Sequence, residues 1–271
     1  DKGGQLGAAE VASAAFAPNF ARSDKKVLDF KFTHSWFWVK FSVKNETPEP
    51  LVLEVAQALL DTVQLCFQDS AGQWQSMQSG YSMSIYRKPI VHSLHAFSLP
   101  LNTETFYLHY QATEEPVPLK LWSANGYEAK KTDQTIAYGV YIGIMLIIIL
   151  LNLFLFGLMR RFTYIHYAVL VSMYLWFSSI LEGYMSYFVQ SADLMFWFNL
   201  NPVVNLFIGT SYCYLFLEVK KYHPRLSKIV VPFLAFLFAY IFLHWLLPLS
   251  YLIPINQLLS LIVVFSQTGI G

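Results

Sequence analysis

Groups able to do chemistry are thinly spread along this chain. Its seven histidines, at 34, 92, 95, 109, 166, 223 and 244, are scattered, and there is no HExxH, no CxxC pair, no P-loop and no GxSxG elbow. Metal-dependent hydrolysis, phosphate cradling and the common serine hydrolases therefore lack their local signatures. His92 and His95, separated by two residues in a strand or loop, do not read as a metal pair. No catalytic residue, metal or cofactor is expected, and no enzyme within these residues. What remains is recognition chemistry. Trp36 and Trp38 lie on one strand beside Lys40, and Trp74, Tyr86 and Arg87 sit with Tyr81 and His92 in "GQWQSMQSGYSMSIYRKPIVH", where the strand pattern lapses. Indole rings stack on sugars and planar ligands, and one arginine among aromatics suits a polar, carboxylated small molecule. The competing reading packs the two tryptophans under a loop or against headgroups and uses the loop aromatics to plug the end of a domain.

The elements that must position these residues lie in two phases. The chain is 55% hydrophobic and only 13% charged, against about a quarter charged in soluble proteins. Up to about Asp133, charge mixes with alternating apolar residues. Beyond it, apolar runs of about 20 residues follow one another, each long enough to cross about 30 Å of hydrocarbon. Residues 1–130 are expected to form a water-facing domain and 131–271 a helical membrane domain. A net charge of +1 offers no broad surface for nucleic acid. Cys66 and Cys213 fall in different phases and are expected to be free.

In the first part, "KVLDFKF", "WFWVKFSV", "PLVLEVA", "DTVQLCF", "FYLHYQA" and "VPLKLW" are short, β-branched and aromatic, and separated by turn-rich stretches. That rhythm predicts an all-β sandwich or jelly roll. In "WFWVKFSVK", period-two alternation assigns Phe37, Val39, Phe41 and Val43 to the core and Trp36, Trp38, Lys40 and Ser42 to the other face.

In the second part, spans are expected at about 135–158, 164–187, 196–217, 229–247 and 255–271. Pro248 and Pro254 bracket the last turn. Arg160 and Arg161 lie in the first short loop and Lys220, Lys221, Arg225 and Lys228 in the third, while the second and fourth carry no basic residue. This asymmetry places those cations on the cytoplasmic side and the N-terminal domain outside; the alternative is that the arginine pair binds a ligand. Either way, basic residues at helix ends meet anionic lipid headgroups. An exported domain needs a signal peptide, which "DKGGQLGAAE" lacks, so a cleaved or omitted leader is expected.

Glu182 is the acidic residue expected inside a span, near the outer end of the second helix, with His244 near the outer end of the fourth. Asn199, Asn201 and Asn205 lie on the outer half of the third helix. Together they predict a polar cluster facing the exported domain, serving as a coupling surface or small-ligand pocket, against ordinary interhelical packing and headgroup contact.

Several of these stretches resemble one bacterial family, the seven-transmembrane receptors with diverse intracellular signalling modules (7TMR-DISM), and in particular their type 2 extracellular domain. The residues that carry the resemblance are "WVKFSVKN" (Trp38 to Asn45), "LDTVQL" (Leu60 to Leu65), "GYSMSIYRKP" with Gly80, Arg87 and Pro89, "VPLKLW", and the opening helix "YGVYIGIMLIIILLNLFLF" with its basic turn and "TYIHY". Lys40 and His109 stand where the family commonly has arginine, and a lysine offers a point charge in place of a planar fork. The resemblance implies two further spans and a cytoplasmic output module in the same polypeptide, any output enzyme lying beyond residue 271, so this chain is expected to be part of a longer receptor. It also implies a carbohydrate-like ligand, bound outside the cytoplasmic membrane of a bacterium.

The expected function is thus a membrane signal-transduction receptor that senses an extracytoplasmic small molecule or glycan, with membrane lipid around its helices and a homodimer compatible with the design. Two other classes stand beside it. One is a transporter, or a structural membrane partner whose sandwich docks another exported protein. The other is an intramembrane enzyme built on Glu182 and His244.

Overall fold

In a computed structural model, residues 4–23, 35–111, 116–188, 194–247 and, beyond them, 251–252, 254–256 and 258–259 are described. They fall into two compact units, Asp1–Ile136 with Ile180–Ala192, and Ala137–Ser179 with Asp193–Gly271.

The first unit is a sandwich of two antiparallel sheets. Seven strands follow a short helix α1 (Ala8–Val11): β1 (Trp36–Ser42), β2 (Leu51–Val55), β3 (Val63–Gln68), β4 (Trp74–Ser79), β5 (His95–Leu99), β6 (Thr105–Gln111) and β7 (Leu119–Ser123). The larger sheet has the order β1-β6-β3-β4 and the smaller β5-β2-β7. Val39 and Phe41 of β1 and the following Val43 pack, as the sequence predicts, on a core built from Leu53, Val55, Leu65, Phe97, Phe106 and Leu108 with their neighbours, while Phe37, the fourth residue assigned to that face, is half-buried. One prediction changes: Trp74 does not lie in a lapse of strand pattern but opens β4, because Gln68 pairs with it and Leu65 with Met77 across an antiparallel ladder. The polar residues of "WQSMQS" suit an edge strand that alternates between core and water.

Strand β7 passes directly into the helix α2 (Ala124–Met159). The switch has a local cause, since the Ser123 hydroxyl accepts the Gly126 N–H at 3.1 Å and so caps the first turn. Helix therefore begins well before the expected span, through a polar stretch containing Glu128, Lys130 and Lys131. Within the same unit, Gly183 adopts a left-handed conformation (φ 74°) after the helix α3 (Phe162–Leu181), and its N–H closes on the Ile180 carbonyl at 3.0 Å. This is the helix-ending geometry that glycine supplies without steric cost.

The second unit contains the apolar part of α2, most of α3, and α4 (Leu194–Phe216), α5 (Val219–Tyr222) and α6 (Pro224–Leu246). Three of these helices, α2, α3 and α6, are long and apolar enough to cross a membrane. Helix α4 occupies the place of the expected third span, and the fifth span falls largely outside the described residues. Polar side chains stitch the helices: the Tyr138 hydroxyl donates to Ser179 at 2.8 Å, His166 pairs with Ser211 at 2.7 Å, and the Asn201 amide donates to the Met173 carbonyl at 3.4 Å. The apolar stripe Ile136, Val140, Ile147, Leu150 and Phe154 on α2 is exposed, as a lipid-facing surface requires.

Candidate functional site: an aromatic sheet face and a buried ionic clamp

The outer face of the larger sheet collects the residues suited to recognition. Register places Trp38 opposite His109 and Lys40 opposite Tyr107, then Tyr107 opposite Cys66 and His109 opposite Gln64. Period-two alternation puts these on the same side as Trp36 and Trp74. The Trp38 and His109 rings stack at 4.1 Å and 11°, with Trp36 at 4.7 Å on His109, while Trp74 meets the edge of Tyr107 at 5.7 Å. Lys40 Nζ lies 5.6 Å above the Tyr107 ring, within the range of cation–π attraction. Burial holds the His109 imidazole down at about 4, so it is neutral at physiological pH. An open cleft of about 450 Å³ borders this face, with Lys40, Gln68, Trp74, Thr103 and Tyr107 in its wall. That size falls in the usual range for small-molecule sites.

Part of the face is covered by the chain itself. Val11 is buried against Cys66 and Tyr107, and Leu6, Ala8, Ala12, Phe16 and Phe20 pack around them with Trp38 and Trp74. Gly4 lies so close to Trp36 that a Cβ would come within 2.8 Å of the indole nitrogen. Sequence reasoning assigned nothing to this segment; the spacing of Leu6, Val11, Phe16 and Phe20 among alanines was the available signal.

Of the five residues expected to bind ligand, Trp36, Trp38 and Trp74 share this face. Tyr86 and Arg87 belong instead to a 3-10 turn, Ile85–Arg87. Tyr86 is exposed, and Arg87 lines a separate hollow with Ser82, Met83 and Ser84.

The outer face of the smaller sheet holds a cluster that sequence reading missed. Glu54 on β2 is fully buried; its carboxylate accepts the Trp122 indole N–H at 2.8 Å and pairs with Lys130 on α2. Lys130 also lies over the Trp122 and Tyr127 rings. The Tyr127 hydroxyl bonds His92 Nδ1 at 3.2 Å, and buried Lys88 donates to the carbonyls of Ser93 at 3.2 Å and His92 at 3.5 Å. Burial depresses Lys88 to about 8 and His92 to about 4. Gly183 abuts the same loop, where a Cβ would meet the Ser93 carbonyl at 2.6 Å and Ala58 at 3.0 Å. In sequence, Glu54 inside "LVLEVA" reads as a solvent-side residue of an amphipathic strand, and no local pattern announces its partner on a helix.

Of the polar residues expected inside the membrane, Glu182 belongs to the first unit and Asn199, Asn201, Asn205 and His244 to the second. Glu182 lies just past the end of α3 and is exposed. His244 is buried; its Nδ1 faces the Tyr240 carbonyl at 3.2 Å and its Nε2 the Asn256 amide at 3.2 Å. The Asn256 amide also donates to the Asn199 carbonyl at 3.1 Å, and Asn205 donates to Asn201. Arg160 sits in the turn between α2 and α3 with φ 53°, and its N–H closes on Phe156 at 2.8 Å. Arg161 follows it, Lys220 and Lys221 lie on α5, and Arg225 and Lys228 on the first turns of α6. Both cysteines are free. Among the described residues no group of histidine, cysteine or carboxylate side chains could hold a metal ion.

A β-sandwich whose last strand becomes the first of several apolar helices defines a membrane protein with a folded domain outside the bilayer. The family model for the 7TMR-DISM extracellular 2 domain matches residues 1–123, and that for 7TM diverse intracellular signalling matches residues 134–271. The chain belongs to this 7TMR-DISM family, with an extracellular domain of the second type. No curated protein and no solved structure matches it.

Proposed function

We propose that the chain is the sensing and membrane portion of a bacterial receptor. Its sandwich binds a carbohydrate-like ligand on the aromatic face of the larger sheet and relays occupancy through α2 to an intracellular module of the same polypeptide. The relay rests on one observation: β7 runs into α2 without a linker, and Glu54 ties β2 to that helix through Trp122 and Lys130. Ligand-induced change in the sheets would thus act on the helix through a buried ion pair, which resists deformation more than a solvated loop. Only a difference in ligand affinity between two arrangements can drive such a shift. The supporting chemistry for the ligand class is the set of indole and phenol rings beside a lysine and glutamines.

The test uses the full-length receptor and a glycan identified by array screening of the purified protein. Trp38→Ala and Trp74→Ala should each weaken binding about tenfold or more, in line with about 1.4 kcal/mol per factor of ten. Glu54→Gln should leave binding nearly intact and abolish the response. A Glu54→Gln receptor that signals like wild type refutes the relay, and unchanged affinity in both tryptophan variants refutes the face.

A further inference from the structure

The segment that lies over the aromatic face is an unusual cover. From Gly4 to Phe20 it is built mainly from alanine, glycine and a few apolar residues, with Gln5, Glu10, Ser13 and Asn19 among them, and Val11 is its one buried side chain among those described. Its helix has four residues, too short to be stable without the sheet beneath it. The fit is also chemically poor. Trp38 Nε1 and His109 Nε2 are both sequestered and have no hydrogen-bond partner among the described residues, and the alkyl and phenyl side chains packed above cannot supply one. A buried donor or acceptor left unmade is a standing cost to the closed arrangement. A hydroxyl-bearing ring stacked on the same indoles could satisfy both nitrogens. The way in already exists, because the open cleft is lined both by Ala9, Ala12 and Ser13 of the cover and by Lys40, Trp74 and Thr103.

We propose that residues 4–20 are a displaceable internal competitor: they occupy the aromatic face in the unliganded protein, and ligand binds by lifting them off Trp36, Trp38 and Tyr107. The ligand class in this proposal rests on the function proposed above; the displacement itself does not. Such a device sets the receptor's threshold, since apparent affinity falls by the fraction of molecules in which the face is open.

Cys66 is a native reporter of the opening, being a buried free thiol packed under Val11. In a Cys213→Ser background, its alkylation by a maleimide is followed in increasing urea alongside the β-sheet circular dichroism. The expected result is labelling through an opening with much weaker urea dependence than global unfolding, at least tenfold faster in Val11→Asp with the sheet signal unchanged. Labelling that tracks global unfolding in the wild type would overturn the proposal, and this arm stands even if Val11→Asp misfolds. In parallel, cellopentaose and maltopentaose are titrated against both proteins. Tighter binding to Val11→Asp of either sugar supports competition. Fast Cys66 labelling in Val11→Asp with no binding of either sugar supports the displaceable cover and counts against the carbohydrate reading alone.

Discussion

Gly80 follows β4 at the point where the chain passes the turn before β3, and the space for a side chain there is absent. A Cβ would lie 1.8 Å from the Asp61 carbonyl oxygen, while the adjacent Tyr81 N–H donates to the Leu60 carbonyl at 2.9 Å. Backbone on both sides is hydrogen-bonded, so the clash cannot be relieved by a rotamer change. Gly80→Ala is expected to cost about 2–4 kcal/mol, seen as a lower urea midpoint of the sandwich signal in the detergent-solubilised chain; a midpoint within experimental error of wild type would contradict this packing. Resemblance singled out Gly80, but the reason for it is a contact with Asp61 that no local pattern displays. The same holds for Trp36, Trp38 and Trp74: alternation assigned the first two to one face, and only strand pairing brought Trp74 onto it and left Arg87 elsewhere.

Among the elements, the connection from the end of β4 through β5 gathers three basic groups in low-dielectric surroundings. His95 is fully buried with its Nδ1 on the Ser79 hydroxyl at 2.8 Å, and burial depresses it to about 3; His92 falls to about 4 and Lys88 to about 8. Both histidines lie below their ordinary 6.5, so below that pH the unfolded chain binds more protons than the folded one. The histidines' contribution to stability is complete above about pH 6.5 and is lost as pH falls through the folded values, by on the order of 3 kcal/mol for each buried imidazole. Thermal melts from pH 7 to 4 should show this decline, and His95→Gln should flatten it while lowering stability at pH 7 through the altered Ser79 contact. A pH-independent melting temperature in the wild type would refute the buried neutral state. Lys88 adds a second, alkaline slope, since between about 8 and 10.5 stability rises with pH for the same reason. None of this was legible beforehand, because spacing alone gave His92 and His95 no common face and the buried carbonyls that hold Lys88 belong to an irregular segment.

For the whole molecule, orientation is the claim on which sensing depends. With Cys66 and Cys213 replaced by serine, an impermeant maleimide applied to intact cells should react with Glu46→Cys and fail to react with Arg161→Cys or Lys221→Cys; reaction at Arg161→Cys in unbroken cells would invert the topology. The sequence by itself determined the division into a β domain and apolar helices and the inward face of β1, because composition and periodicity are local and record the phase in which each residue sits; the family was legible through resemblance of short motifs such as Trp38 to Asn45. Tertiary structure decided the rest. The cover over Trp38, the pairing of Glu54 with Lys130 and the seat of Gly183 against Ser93 join residues distant in the chain. Such contacts depend on strand register and on the point where Ser123 caps a helix, and a hydrophobic pattern does not specify which distant side chain will neutralise a buried charge.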